Sequence, residues 1–266
     1  MNNEPPQQAT SLPDSLIPIV VGITGHRDLR LDDIPRLEEE VRKIFLNLKH
    51  DYPDTPLITL SPLAEGADML VARIGLEQGA QLYVPLPLPR AEYEKDFNTP
   101  ESGSEFNELI EQSAECFELP LLIGNTPENI REYGPERNLQ YTQVGAFIVR
   151  HSHVLIALWD GTDNGLEGGT AQIVDYKLKG IPETYKTLQY HLDIIDTGPV
   201  YHVVTPRQRN PHPKGEPFSL NLIFPLPESE DKSQQEAHFG MLEGINNSNR
   251  NLTEPASQVQ QNIRSN

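Results

Sequence analysis

Apolar positions along this chain follow two rhythms: short unbroken runs, and stretches where they return every third or fourth residue. Leu16 to Ile23 is apolar throughout, as expected for a strand covered on both faces of a parallel sheet. It runs into Thr24-Gly25-His26-Arg27. After Asp32 or Asp33, either able to cap a helix, Leu37, Val41, Ile44, Phe45 and Leu48 recur at helical spacing, with Pro35 tolerated in the first turn and Pro53 marking the end. Leu57 to Leu60 predicts a second buried strand. The loop Ser61-Pro62-Leu63-Ala64-Glu65-Gly66 follows, then a helix from about Ala67 to Gln78 closed by Gly79.

The pattern continues with a strand at Gln81 to Val84, halted by Pro85, Pro87 and Pro89, which cannot donate to a central ladder. Residues 90–138 break the rhythm: a helix is expected around Ser104 to Glu115 and a short apolar run spans Leu119 to Ile123. We read this stretch as an insertion able to act as a lid. Leu139 to Arg150 predicts a helix feeding the strong strand Val154 to Trp159. Asp160-Gly161 and the loop Gly165-Leu166-Glu167-Gly168-Gly169-Thr170 then open a helix through Leu178, and Val200 to Thr205 forms a last strand. Buried strands alternating with amphipathic helices predict an α/β, Rossmann-like, doubly wound and mainly parallel sheet with helices on both faces. The expected organisation is a polar, disordered leader over 1–15, a ligand-binding domain over 16–210, and a largely disordered polar tail over 211–266 in which only Phe218 to Leu226 is apolar enough to dock.

Composition narrows the partners. The net charge of −18 disfavours the phosphate backbone of nucleic acid and anionic membranes, so neither is expected as a partner of this chain. A small anion remains compatible, because a few backbone amides and one arginine act locally. Cys116 is the single cysteine, which excludes an internal disulfide and predicts a reducing, cytoplasmic setting. No signal peptide and no apolar run of membrane-spanning length is found. An apolar fraction of 36% suggests that part of the chain is not packed. A homo-oligomer is left open.

In an open parallel sheet, ligands sit at the carboxyl ends of the strands, at the point where strand order reverses. Three loops have the chemistry for it. In Gly22-Ile23-Thr24-Gly25-His26-Arg27, the glycines permit close backbone approach, and Thr24 and Arg27 suit a phosphate or ribose; the alternative is that Gly25 only makes the turn. In the second, Gly66 precedes a helix whose amides point to the crevice, and Glu65 and Asp68 can accept from ribose hydroxyls; the alternative is capping by Asp68. In the third, Gly168-Gly169-Thr170 opens a helix with bare amides and one hydroxyl, and Asp160 and Gly161 border the same pocket. Neither a dinucleotide fingerprint nor a P-loop is present. His151 and His153 have no third ligand nearby, so no metal is expected. Ser61 has no local base, Cys116 reads as a small packed side chain, and Glu92, Glu94 and Asp96 read as a solvated face, although Arg90, Tyr93 and Lys95 could cover a bound nucleotide.

Taken together, these loops, with LVARIGLEQGAQLYVPLPLP and HSHVLIALWDG, resemble the SLOG superfamily over residues 16–206. That group includes the Lonely Guy phosphoribohydrolases, the DNA-processing protein A family and the ligand-sensing N-terminal region of TRPM channels. The TGHR and GADxLVAR-like segments look closest to bacterial members implicated in nucleotide sensing in signalling or defence systems. The resemblance implies a Rossmann-like domain that binds nucleotides, their derivatives or, in one branch, DNA. It supports Gly25, Arg27, Gly66, Asp68, Gly168, Gly169 and Thr170 as the pocket. One departure bears on catalysis. The phosphoribohydrolase pattern P-G-G-x-G-T-x-x-E ends in a glutamate, whereas Ile173 stands three residues after Thr170. Asp175, about 200° further around the helix, cannot substitute.

The expected function is therefore binding or sensing of a nucleotide or nucleotide-derived small molecule, with no obligatory cofactor and no assigned catalytic residue. Two alternatives stay open. One is a nucleotide N-glycosidic hydrolase using Glu65, Asp68 or Asp160 as acid or base. The other is a protein-interaction scaffold with a vestigial pocket.

Overall fold

A computed structural model describes residues 16–185, 197–225 and 233–253. The leader expected over 1–15 lies outside the described residues, as does the end of the tail. In chain order the elements are β1 (Ile19–Gly25), α1 (Ile34–Asp51), β2 (Leu57–Leu60), α2 (Ala67–Glu77), β3 (Gln81–Leu86) and α3 (Arg90–Tyr93). Then come α4 (Pro100–Gln112), β4 (Glu115–Glu118), α5 (Pro135–His151), β5 (Val154–Trp159), α6 (Thr170–Lys179), β6 (Val200–Val204), β7 (Leu220–Ile223) and α7 (Ser233–Thr253).

The strands form one sheet in the order β4-β3-β2-β1-β5-β6-β7, parallel throughout except for the antiparallel edge strand β7. Unbroken apolar runs make such strands because both faces are covered. Along β5, Val154, Ile156 and Leu158 enter the core beneath α1 and α2, while Leu155 and Ala157 enter the core beneath α5 and α6. The face of α1 expected from its spacing, Leu37, Val41, Ile44, Phe45 and Leu48, is buried. Each such side chain contributes about 1.5–3 kcal/mol on leaving water. This is a Rossmann-type α/β architecture.

Topology places the crevice. From β1 the chain winds outward through β2, β3 and β4, then returns to lay β5 on the other side of β1. The loops after β1 and β5 therefore leave the sheet in opposite directions and open a gap above the carboxyl ends of both strands.

Several boundaries differ from the sequence reading. β3 continues through Pro85 to Leu86, because β2 ends opposite Tyr83 and the missing proline N–H breaks no bond to it; β4 pairs along the other edge. α4 begins at Pro100, where the Thr99 hydroxyl accepts the Ser102 N–H (3.1 Å) and the two residues form a reciprocal cap. The chain after Asn210, expected as a largely disordered tail, contributes β7 and α7. What docks α7 is polar as much as apolar. Leu242 is buried, Asn246 Oδ1 accepts the Asp54 N–H (2.9 Å), and Asn249 accepts the Ile17 N–H (2.9 Å) and donates to its carbonyl (2.8 Å). Among the described residues no helix is long and apolar enough to cross a membrane.

Candidate functional site

Above the switch point lies a cavity of about 870 Å³, walled by the loops after β1, β2, β5 and β6, by one side of α5 from Asn138 to Ile148 and by the first turn of α6. Its glycines come first, because they decide how closely the loops approach. Gly25 ends β1 so near α2 that a Cβ there would lie 2.3 Å from the Ala67 Cβ. Gly66 has φ +86° and sits with its back to the first loop, where a Cβ would lie 2.4 Å from the Arg27 carbonyl oxygen. The Ala67 N–H donates to the His26 carbonyl (3.1 Å). Two loops thus cross in contact, a geometry open only to residues without a side chain. Gly25 lines the cavity and Gly66 does not. The expectation that Gly66 borders the ligand is corrected: its role is the crossing. Gly22 is likewise off the cavity, packed under Ile148 of α5 and Ser152 just beyond its end.

The crossing presents Thr24, His26, Arg27, Glu65 and Asp68 to the cavity. Asp68, in the first turn of α2, is 5% exposed, and burial pushes its pKa up to about 7, against the pull of Arg27 and a hydrogen bond from the Ala64 backbone. It is a cavity carboxyl that changes charge near neutrality. Glu65 by contrast takes a hydrogen bond from Asn98 (2.8 Å) at the exposed rim. Arg27 reaches inward, with its guanidinium 5.4 Å from the Tyr141 ring centroid and 3.9 Å from Asp96 Oδ2.

His26 is held between Arg207, whose Nη1 lies 3.0 Å from Nδ1, and Asp160, whose Oδ1 lies 3.2 Å from Nε2. Burial first, and then Arg207, lowers its pKa below the ordinary value, so the ring is neutral at pH 7. An arginine can only donate, which makes Nδ1 the acceptor.

Asp160 and Gly161 do not line the cavity, contrary to expectation. The Asp160 carboxylate accepts from the Thr162 N–H (2.9 Å) and Asn210 Nδ2 (2.9 Å), and its carbonyl accepts from the Lys214 N–H (2.7 Å). Burial opposes its ionisation, yet these bonds and His26 hold its pKa below the usual carboxylate range. Gly161, at φ +76°, passes against Lys214. The pair braces the segment after β6 and so sets Arg207, Gln208 and Arg209 on the cavity wall. Sequence reasoning missed those residues, although they follow a strand's carboxyl end, the rule that found the other loops.

Gly168, Gly169 and Thr170 all line the cavity. Gly168 has φ +73° and lies against α5, with the Asn138 carbonyl oxygen 3.3 Å from where a Cβ would be. The two glycine amides are engaged within the loop: Gly168 N–H donates to Gln172 Oε1 (2.7 Å) and Gly169 N–H to the Leu166 carbonyl (3.0 Å). The cradle is thus less bare than the sequence suggests, and one of its acceptors is a side chain that can move aside. Ile173, where the resembled hydrolases place glutamate, is 3% exposed and packs into the space above Gly145.

The remaining wall comes from 90–138 and the start of α5. Asp96, expected on a solvated face, is buried: Arg137 Nη2 lies 2.5 Å from Oδ1, Tyr133 donates to Oδ1 (2.9 Å), and Tyr141 donates to Oδ2. A carboxylate so enclosed needs these donors, and a local polar run gave no sign of Arg137 more than a helix away. Of the three residues expected to cover a nucleotide, Tyr93, buried at the same corner, lines the cavity and Arg90 and Lys95 do not; burial raises the pKa of Tyr93 and that of Tyr141. Tyr133, Asn138 and Tyr141 were not anticipated. Among the described residues no group of three or more histidine, cysteine or acidic side chains could hold a metal. His153 Nδ1 accepts the Val20 N–H (2.9 Å) and so serves the sheet.

No family model matches the chain, and no curated protein matches it. Solved structures do. DNA processing protein A from Streptococcus pneumoniae is 14% identical, over 53% of this chain and 41% of that one, with a TM-score of 0.33. DNA processing protein A from Helicobacter pylori, in a structure that concerns its single-stranded DNA binding mode, is 15% identical over 59% of this chain and 61% of that one, with a TM-score of 0.36. The matched part spans less than two thirds of either protein, and at this identity the likeness concerns the fold alone. One expectation from the sequence is corrected. Nucleic acid was excluded as a partner from net charge, and a chain that this one is similar to is described by its single-stranded DNA binding. A charge summed over the whole chain says nothing of one surface, and here Arg27, Arg207 and Arg209 line a single cavity.

Proposed function

We propose that this domain binds a nucleotide or nucleotide-derived small molecule in the cavity above β1 and β5, and that it acts as a sensor rather than through turnover. The observation that carries this reading is convergence: the glycine-bearing loops after β1, β2 and β5 all border one space of about 870 Å³, a volume suited to a nucleotide-sized ligand. Thr170 and the first amides of α6 would take the negatively charged group, with Gln172 giving up Gly168. Thr24, Arg27 and Asp68 would meet the ribose, Arg27 with a planar donor fork and Asp68 as acceptor. Ile173 in place of a carboxylate favours binding over cleavage.

Thermal shift against nucleoside mono-, di- and triphosphates, cyclic nucleotides, ADP-ribose derivatives and a short single-stranded oligonucleotide tests the proposal, with mass spectrometry for turnover. Stabilisation by at least one small ligand, abolished by Arg27→Gln and unaccompanied by product, is the expected result. A ligand at about a hundred times its Kd adds about 2.7 kcal/mol. Failure of every nucleotide to stabilise the folded protein would overturn it.

Asp68 favours a second reading. A buried cavity carboxyl titrating near 7 is equipped for proton transfer in N-glycosidic hydrolysis, whereas Asp160 is locked behind His26. Release of free base from a nucleoside monophosphate, lost in Asp68→Asn, would establish that reading and end the sensor one.

A further inference from the structure

One aromatic side chain in the cavity is exposed and yet held rigidly. Tyr133, just before α5, is 72% exposed and lines the cavity. An exposed tyrosine normally keeps its rotamer freedom. Here its hydroxyl donates to Asp96 Oδ1 (2.9 Å), and the Arg137 guanidinium lies over its ring, 5.2 Å from the centroid. Arg137 is itself fixed, with Nη1 donating to the Ile130 carbonyl (2.6 Å), Nη2 paired with Asp96 and Nε donating to Tyr141 (2.9 Å). Such a ring has paid its ordering entropy in advance and offers a second face with no guanidinium on it.

We infer that Tyr133 is the stacking platform of the cavity, and that the ligand therefore carries a planar heteroaromatic group, a nucleobase, laid on the open face of this ring. The inference rests on the nucleotide reading above and deepens it by assigning the base end. Placement agrees with that assignment. Tyr133 stands just before α5, across the extended Gly134, and Asn138 lies in the first turn of that helix with its carbonyl against Gly168 at the entrance to α6. A base on Tyr133 and a charged group at the start of α6 would thus lie to either side of the first turn of α5, in the one cavity that all three line. Arg137 on the far face withdraws electron density from the phenol ring, which strengthens its stacking on an electron-rich base.

The experiment compares wild type, Tyr133→Ala and Tyr133→Trp by calorimetric titration with the tightest-binding nucleoside monophosphate and with ribose 5-phosphate, which has no base. Tyr133→Ala is expected to weaken the nucleotide by about tenfold to a hundredfold, the range found for removing one base–aromatic stack, and to leave ribose 5-phosphate unchanged; Tyr133→Trp retains nucleotide affinity. Undiminished nucleotide binding by Tyr133→Ala overturns the platform while leaving the nucleotide reading intact. Equal loss of both ligands also overturns it, since the residue would then only support the wall. If wild type binds no nucleotide, both readings fall together. Circular dichroism and thermal melting of each variant separate a lost contact from a lost fold.

Discussion

Arg137 and Asp96 form a buried ion pair, Nη2 to Oδ1 2.5 Å, with side chains only 2% and 1% exposed. The pair ties the first turn of α5 to the segment between β3 and α4, the stretch that the sequence marks as an insertion. Two phenols and a second arginine, Arg27, complete the carboxylate's surroundings.

Removing either partner leaves the other buried charge without its nearest counter-ion. Arg137→Met is expected to cost about 3–5 kcal/mol of folding stability, well beyond the effect of losing an exposed pair such as Arg42 with Glu77. Urea denaturation of Arg137→Met beside Arg42→Met measures the contrast. Equal, small losses would mean that water reaches Asp96.

Asp68 makes stability depend on pH in a direction unusual for a carboxylate. Its folded pKa, about 7, lies above the ordinary 3.8, so the folded protein holds a proton that the unfolded chain releases. The stabilisation is complete below pH 3.8 and is lost as pH rises through about 7. Asp68→Asn removes this slope and should be more stable than wild type at pH 8 by a few kcal/mol, since each tenfold change in acidity on folding corresponds to about 1.4 kcal/mol. Denaturation midpoints of both proteins at pH 5 and pH 8 decide it: parallel changes in the two would show that Asp68 ionises freely.

Glycine positions separate into those under contact and those merely permitted. Gly66→Ala would press a methyl group onto the Arg27 carbonyl at a positive φ and is expected to destabilise by about 2–4 kcal/mol. Gly103, inside α4 with nothing near its missing Cβ, behaves oppositely: Gly103→Ala should stabilise by about 0.4–1 kcal/mol. Thermal melts of the two variants should move in opposite directions. If Gly66→Ala melts with wild type, the two loops are not in the contact described.

Much of the site was legible because ligand loops follow strands and strands announce themselves by apolar runs. Thr24, Gly25, Arg27, Asp68, Gly168, Gly169 and Thr170 were all found that way, and all line the cavity. Gly22, Gly66 and Gly161 were misread for one shared reason. A glycine signals close approach without saying what approaches, and here it is Ile148, the Arg27 carbonyl and Lys214 rather than a ligand. α7 was missed because Asn246 and Asn249 look like solvent-loving residues until they meet the backbone groups of Asp54 and Ile17.

Local pattern alone determined the alternation of strands and helices, the buried face of α1 and the doubly wound class, since each depends on which residues can leave water within one element. Tertiary structure alone decided that Asp96 is a buried counter-ion, that Asp160 braces a wall, and that Tyr133 and Arg207 join the cavity. Those roles depend on partners distant in sequence, and a side chain's charge state and freedom are set by what surrounds it in space.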